Sequence, residues 1–239
     1  MSTAVAGAAD IAVRLAAVRE RIAAAARRAG RRPEDVTLVA VTKTFGVDDV
    51  QAALAAAVTD LGENRVQEAE EKVPAVPAGP HWHLIGHLQK NKVKKALELF
   101  QLIESVDSLD LAEAIGKRAE RSGAVMDVLL QVNVAEKESQ FGFPETELRA
   151  QAGTLSQVAG LSLEGLMCIA PLVEEMEEAR PAFRQLRQLF DELGPRMREA
   201  GHPWRHLSMG MTNDYPVAIE EGATMVRVGR AIFGERTTR

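Results

Sequence analysis

The 239-residue chain reads as an α/β protein, a single (β/α)8 barrel with one extra helix at its N-terminus. The first observation behind this reading is a continuous alternation of short apolar runs with segments of helical pattern. Strands that alternate with helices build right-handed βαβ units and a parallel sheet, and eight such units close a barrel. The second is what the runner-up, an open doubly wound sheet, lacks. No G-x-G-x-x-G follows the first apolar run, and Gly229 to Gly234 has no Lys-Ser/Thr after it to complete a P-loop.

Along the chain, Ile11, Leu15, Val18 and Ile22 recur at spacings of four, three and four, the mark of an amphipathic helix that packs on the body. Asp10, Arg14, Arg19 and Glu20 interrupt this alanine-rich start before a signal-peptide core develops, and no later run approaches eighteen apolar residues. Neither export nor a membrane span is expected. The eight apolar runs fall at 36–42, 59–62, 82–86, 102–105, 128–133, 163–169, 206–208 and 225–228. Helical patterns occupy 47–57, 64–72, 89–100, 108–122, 144–158, 173–200 and 213–221. The proline-rich stretch 73–80 serves as a helix-to-strand loop, and Glu174-Glu175-Met176-Glu177-Glu178 opens the long helix, where carboxylates complement the N-terminal dipole. No linker divides the chain, so residues 1–239 are expected to form one domain.

Composition narrows the function. A hydrophobic content of 46% supports a sizeable core, and a net charge of −5 with interspersed signs advertises neither nucleic acid nor an anionic membrane as a partner. Lys90, Lys92, Lys94 and Lys95 read as a solvated helix face. The single cysteine, Cys168, cannot form an intramolecular disulfide, which fits a reducing, cytoplasmic setting, and on an apolar strand it reads as core. His81, His83 and His87 invite a metal reading, but no cysteine or well-spaced carboxylate completes a ligand set.

The residue that stands out is Lys43, at the end of the run Leu38-Val39-Ala40-Val41-Thr42. A lysine on a buried strand must reach water or a partner, and partial desolvation lowers its pKa toward a free amine able to form a Schiff base. Residue type alone favours a strand-end lysine that snorkels to solvent. Position adds weight, because in this barrel class function collects at the C-terminal strand ends, with phosphate often held after strands seven and eight. Lys43, Gly62-Glu63-Asn64, Gly86-His87, Ser208-Met209-Gly210-Met211 and Gly229-Arg230 all fall on that rim. Gly229 permits close approach to an anion at the start of a short helix, and Ser208 offers a hydroxyl, although each glycine alone also suits a tight βα turn. An amine and an anion cradle together suit a phosphate-bearing carbonyl compound, and pyridoxal 5'-phosphate carries both groups.

Five blocks add a resemblance: Val39-Ala40-Val41-Thr42-Lys43-Thr44, Gly62-Glu63-Asn64-Arg65-Val66-Gln67-Glu68, Trp82-His83-Leu84-Ile85-Gly86-His87-Leu88-Gln89, Ser208-Met209-Gly210-Met211-Thr212 and Val226-Arg227-Val228-Gly229. In this order, over nearly the whole chain, they resemble the pyridoxal-phosphate homeostasis proteins, single-domain relatives of the alanine racemase barrel. The resemblance implies that Lys43 holds the cofactor as an internal aldimine, with Ser208, Gly229 and the Arg230 backbone by its phosphate and Arg227 by its pyridine nitrogen. Asn64, His83 and Met209 complete the implied cofactor contacts. A guanidinium only donates and stays charged, so it supplies no ring proton and leaves the pyridine a weaker electron sink. The tyrosine that two-domain racemases bring from their second domain has no counterpart: the only one here, Tyr215, lies in the last helical pattern and reads as packing. Three positions depart from the family pattern. Phe45-Gly46 follows Lys43-Thr44 where Lys-Pro is common, Gln140 in Glu138-Ser139-Gln140 replaces a lysine, and Arg230 replaces a small hydroxyl residue.

The expected function is therefore that of a monomeric, cytoplasmic, non-catalytic carrier of pyridoxal 5'-phosphate that passes it to apo-enzymes. The alternatives are an amino-acid racemase or a Schiff-base aldolase using the same rim lysine.

Overall fold

The computed structural model describes residues 7–135, 140–171 and 173–235. Eight parallel strands close a barrel in sequence order: β1 (Thr37–Val41), β2 (Asp60–Glu63), β3 (His81–Leu84), β4 (Leu102–Val106), β5 (Met126–Val132), β6 (Leu161–Cys168), β7 (His206–Ser208) and β8 (Met225–Val228). The seam is closed by β1 on β8, with Thr37 opposite Met225 and Ala40 opposite Val228. Each strand matches an apolar run of the sequence, because strands buried on both faces read as near-continuous hydrophobic stretches.

The helices are α1 (Ala8–Arg28), α2 (Val47–Ala55), α3 (Val66–Lys72), α4 (Val93–Leu99), α5 (Leu109–Arg121), α6 (Glu145–Leu155), α7 (Arg180–Glu199), α8 (Tyr215–Glu220) and α9 (Arg230–Phe233). The extra N-terminal helix α1 buries Ile11, Leu15, Val18 and Ile22 and packs against α2, α8 and α9, which covers the seam. Arg19 from α1 donates to the Ala56 and Ala57 carbonyls at 2.9 and 2.6 Å and so satisfies the open end of α2.

Most helices start later than their patterns, α3, α4 and α7 for visible reasons. Asn64 and Arg65 remain in the strand-end loop, and a 3-10 turn at Lys90–Lys92 precedes α4. The acidic stretch 174–178 precedes the long helix as loop and the 3-10 turn Met176–Ala179. Pro181 in the first turn of α7 marks the true start, since proline is tolerated there and disfavours helical geometry before it. Glu177 instead pairs with Arg180 at 2.7 Å. Glu138 and Ser139 lie outside the described residues.

Most of the core fills the space between barrel and helices. Inside the barrel, Leu102, Leu129, Met167 and Met225 form a small apolar cluster. With side chains alternating along each strand, the next inward positions toward the C-terminal rim are Glu104, Gln131, Ile169 and Arg227. The barrel is thus apolar in one layer and charged in the next.

Candidate functional site

Beyond β1 the chain turns sharply at Thr42-Lys43-Thr44-Phe45, with the Phe45 N–H donating to the Thr42 carbonyl at 3.0 Å and Thr44 at φ 70°. Lys43 leaves this turn toward the rim and its Nζ donates to Asn64 Oδ1 at 3.4 Å. Both residues line a cavity of about 620 Å³ at the C-terminal mouth of the barrel. Val41, Ile85 and Ile169 give it apolar walls; Thr212, Asn213, Asp214, Arg227, Gly229 and Arg230 give it polar ones. A second hollow of about 420 Å³ lies at the opposite end, beside Arg19, Thr37 and Asp60, where no strand-end loop reaches. Active sites of this barrel class sit at the C-terminal face, so the rim cavity is the candidate.

The polar wall depends on two glycines. Gly210 sits at φ 92°, and a Cβ there would come within 2.6 Å of Ala218 Cβ and 2.8 Å of Tyr215 Cα, so no other residue fits the turn after β7. Asp214 fixes the rest of that loop by accepting from the Met211 N–H at 2.6 Å, while burial pushes its carboxyl pKa up. The Arg227 N–H donates to the Gly210 carbonyl at 3.0 Å, and Arg230 Nη2 reaches Asn213 Oδ1 at 3.5 Å, joining the loops after β7 and β8. Gly229 opens α9, and a Cβ on it would stand 3.1 Å from the Val41 carbonyl, inside the cavity wall.

Below the cavity a hydrogen-bonded chain crosses the barrel interior. His83 Nε2 lies 3.2 Å from Asp60 Oδ1, and Nδ1 lies 2.7 Å from Glu104 Oε1. Ser208 Oγ donates to Glu104 Oε2 at 2.5 Å and accepts from Arg227 Nη1 at 2.6 Å; Arg227 Nη2 donates to the Cys168 carbonyl at 2.7 Å. Burial opposes a charged imidazole, but hydrogen bonds to Asp60 and Glu104 outweigh it and raise the His83 pKa to about 9. Burial likewise disfavours a charged Glu104, yet His83 and Arg227 hold its pKa below the usual range. Two carboxylates, an imidazolium and a guanidinium therefore balance in the interior.

Of the residues singled out in the sequence, Lys43, Asn64, Arg227, Gly229 and Arg230 meet at the cavity. His83, Ser208 and Met209 lie off it: Met209 is fully buried, and the Ser208 hydroxyl is committed to Glu104 and Arg227. The hydroxyl on the cavity wall belongs to Thr212, which the sequence reading quoted only as the end of its motif. Tyr215 is fully buried on α8, with the Arg21 guanidinium 5.1 Å from its ring. Cys168 is fully buried, and burial pushes its thiol pKa up to about 12. His87 pairs with Asp107 at 2.8 Å and stacks on Phe141 with ring centroids 3.9 Å apart. Gln140 donates to the Ile169 carbonyl at 2.7 Å, tying the loop after β5 to the cavity wall.

Comparison with known proteins agrees with this architecture. The family model described as "Alanine racemase, N-terminal domain" matches residues 13–237. A pyridoxal phosphate homeostasis protein of Aquifex aeolicus is 42% identical over 224 residues, covering 93% of this chain and 97% of the relative. The chain belongs to the pyridoxal phosphate homeostasis family of alanine-racemase-type barrels. Among solved structures, PipY of Synechococcus elongatus is 38% identical, covers 94% of this chain and 100% of its own, and superimposes with a TM-score of 0.84 without PLP and 0.81 with PLP bound. An alanine racemase of Clostridium difficile, 17% identical, shares the fold at a TM-score of 0.67, over 85% of this chain and 53% of that enzyme.

Proposed function

We propose that the chain binds pyridoxal 5'-phosphate through a Schiff base on Lys43 and acts in the cytoplasm as a monomeric, single-domain carrier that delivers the cofactor to apo-enzymes. The observation that carries this reading is the pairing of Lys43 and Asn64 on one wall of the rim cavity with Gly229, Arg230 and Thr212 on another. The residues fit the group. A cavity of about 620 Å³ matches a small cofactor, and Gly229 at the opening of α9 brings backbone to the cavity wall without a side chain. When bound, pyridoxal phosphate supplies an aldehyde for a primary amine and an electron-withdrawing ring. Lys43 offers the amine, Asn64 orients it, and Thr212 with the opening N–H groups of α9 receives the phosphate. Arg227 stands on the cavity floor with both Nη atoms turned to Ser208 and the Cys168 carbonyl, a donor that holds its own proton.

A carrier rather than a catalyst is supported by what else lines the cavity. Racemisation needs a second acid–base group facing the amine, and Tyr215 is packed on the outer layer. Of the two carboxylates on the cavity wall, Asp214 is committed to the Met211 N–H and Glu235 is exposed to solvent. The support from the family is that relatives carry the name homeostasis protein and that PipY was solved with PLP bound.

The test is the visible spectrum. Purified protein mixed with pyridoxal phosphate is expected to give a yellow species that Lys43→Ala abolishes; a colourless wild type sinks the reading. Rapid enantiomer exchange on added alanine or serine would replace the carrier by a racemase.

A further inference from the structure

Helix α3 carries two side chains that the proposed binding role does not use. Lys72 is buried, with its Nζ 2.8 Å from the Thr42 carbonyl and 2.6 Å from Glu63 Oε1. Glu68, one helical turn earlier, lies 3.6 Å from Lys72 and accepts from the Thr44 N–H at 2.9 Å. Thr42 and Thr44 flank Lys43, so the two peptide groups on either side of its Cα are each held by one α3 side chain.

The turn needs such restraint. Thr44 sits at φ 70°, a left-handed conformation disfavoured for a β-branched residue, which persists only when its surroundings over-determine it. Lys72 is itself fixed by Glu63, which also accepts from Thr42 Oγ1 at 2.6 Å, so the clamp is anchored in the layer between barrel and helix. Burying a lysine there to hold one carbonyl is costly unless the ammonium is paired, and here it makes two hydrogen bonds with a second carboxylate, Glu68, 3.6 Å away.

We propose that Glu68 and Lys72 are positioning residues for Lys43, gripping the backbone on both sides of it so that its amine is presented to the cavity in one direction. This rests on the reading that Lys43 captures an aldehyde. In that step a C=N bond forms between Nζ and the aldehyde carbon, the aldehyde oxygen leaves as water, and nothing is oxidised or reduced. Holding the amine near its attack geometry raises the rate of that step without altering how the phosphate is held.

Two probes separate the effects: pyridoxal phosphate, followed by stopped-flow absorbance, and pyridoxine 5'-phosphate, an alcohol that cannot form the C=N bond, followed by equilibrium titration. Glu68→Ala is expected to slow capture about tenfold while leaving pyridoxine phosphate affinity within about twofold, since a lost hydrogen bond to a charged group is worth that factor. Glu68→Gln, which keeps an oxygen to accept from Thr44, is expected to restore the rate to within about twofold of wild type. Unchanged capture in Glu68→Ala, an equal loss with both probes, or no rescue by Glu68→Gln overturns the clamp. Failure of the wild type to react with pyridoxal phosphate while still binding pyridoxine phosphate overturns the Schiff-base reading instead.

Discussion

His83 and Glu104 meet inside the barrel, Nδ1 to Oε1 at 2.7 Å, and the Glu104 carboxylate on β4 also balances the charge of Arg227 on β8, four strands round the barrel. Glu104 is fully buried and takes hydrogen bonds from His83 and Ser208, with Arg227 Nη1 3.8 Å off. Removing its charge leaves the imidazolium with Asp60 alone as its partner and takes the nearby carboxylate away from the Arg227 guanidinium. Breaking a buried pair this way costs about 3–5 kcal/mol, so Glu104→Gln is expected to lower the unfolding free energy of the cofactor-free protein by that amount in a urea titration. A loss under about 1 kcal/mol would show that the interior chain is not charged as described.

The same pair sets a pH dependence. His83 has a folded pKa of about 9 against an ordinary 6.5, so its contribution is full below about pH 6.5 and is lost as pH rises through about 9. Asp60 and Glu104 are shifted the other way, so their contribution is full above the usual carboxylate range and is lost as pH falls below it through their lowered folded values. Wild-type stability is expected to decline between pH 7 and 10, and the difference from His83→Gln is expected to shrink over that interval. Urea midpoints at a series of pH values check this, and a difference that stays constant contradicts it.

How much of this was legible in the sequence follows from the range of each interaction. The eight strands were, because each is a local apolar run, and the rim positions of Lys43 and Gly229 were, because strand-end lysines and glycines are conspicuous where they stand. The interior chain was not. Glu104 and Ser208 are 104 residues apart, and nothing local to either marks them as partners or points to Thr212 as the hydroxyl on the rim. Glu68 and Lys72 were hidden differently. On paper they are an ordinary i,i+4 pair on an exposed helix face, and only the packing of α3 beneath the β1 turn shows that they hold backbone.

Cys168 gives a third expectation. It is the only cysteine of the chain, fully buried, with its thiol pushed up to about 12 by burial, and the thiolate is the reactive form. Folded protein is expected to show no thiol reactive toward a disulfide reagent at pH 8 within minutes, and one equivalent after denaturation. Prompt reaction of the folded state would place Cys168 at the surface.

Ala57 offers a way to gain stability without touching the cavity. It follows α2 with φ 58°, in the left-handed region that helix ends commonly assign to glycine, and its N–H donates to the Leu54 carbonyl at 2.9 Å. Its methyl group bears the steric cost of that conformation, about 1 kcal/mol for an L-residue, whereas glycine adopts it freely at some cost in unfolded-chain entropy. The side chain is exposed, so little packing is lost, and the carbonyl that accepts from Arg19 is unchanged. Ala57→Gly is therefore expected to stabilise the protein by about 0.5 kcal/mol, and Ala57→Val to destabilise it by about 1 kcal/mol, since a β-branched side chain aggravates the same clash. Thermal melts of the three proteins side by side decide the matter: a glycine variant that melts below the wild type shows that the strain at this turn is offset by something other than its backbone.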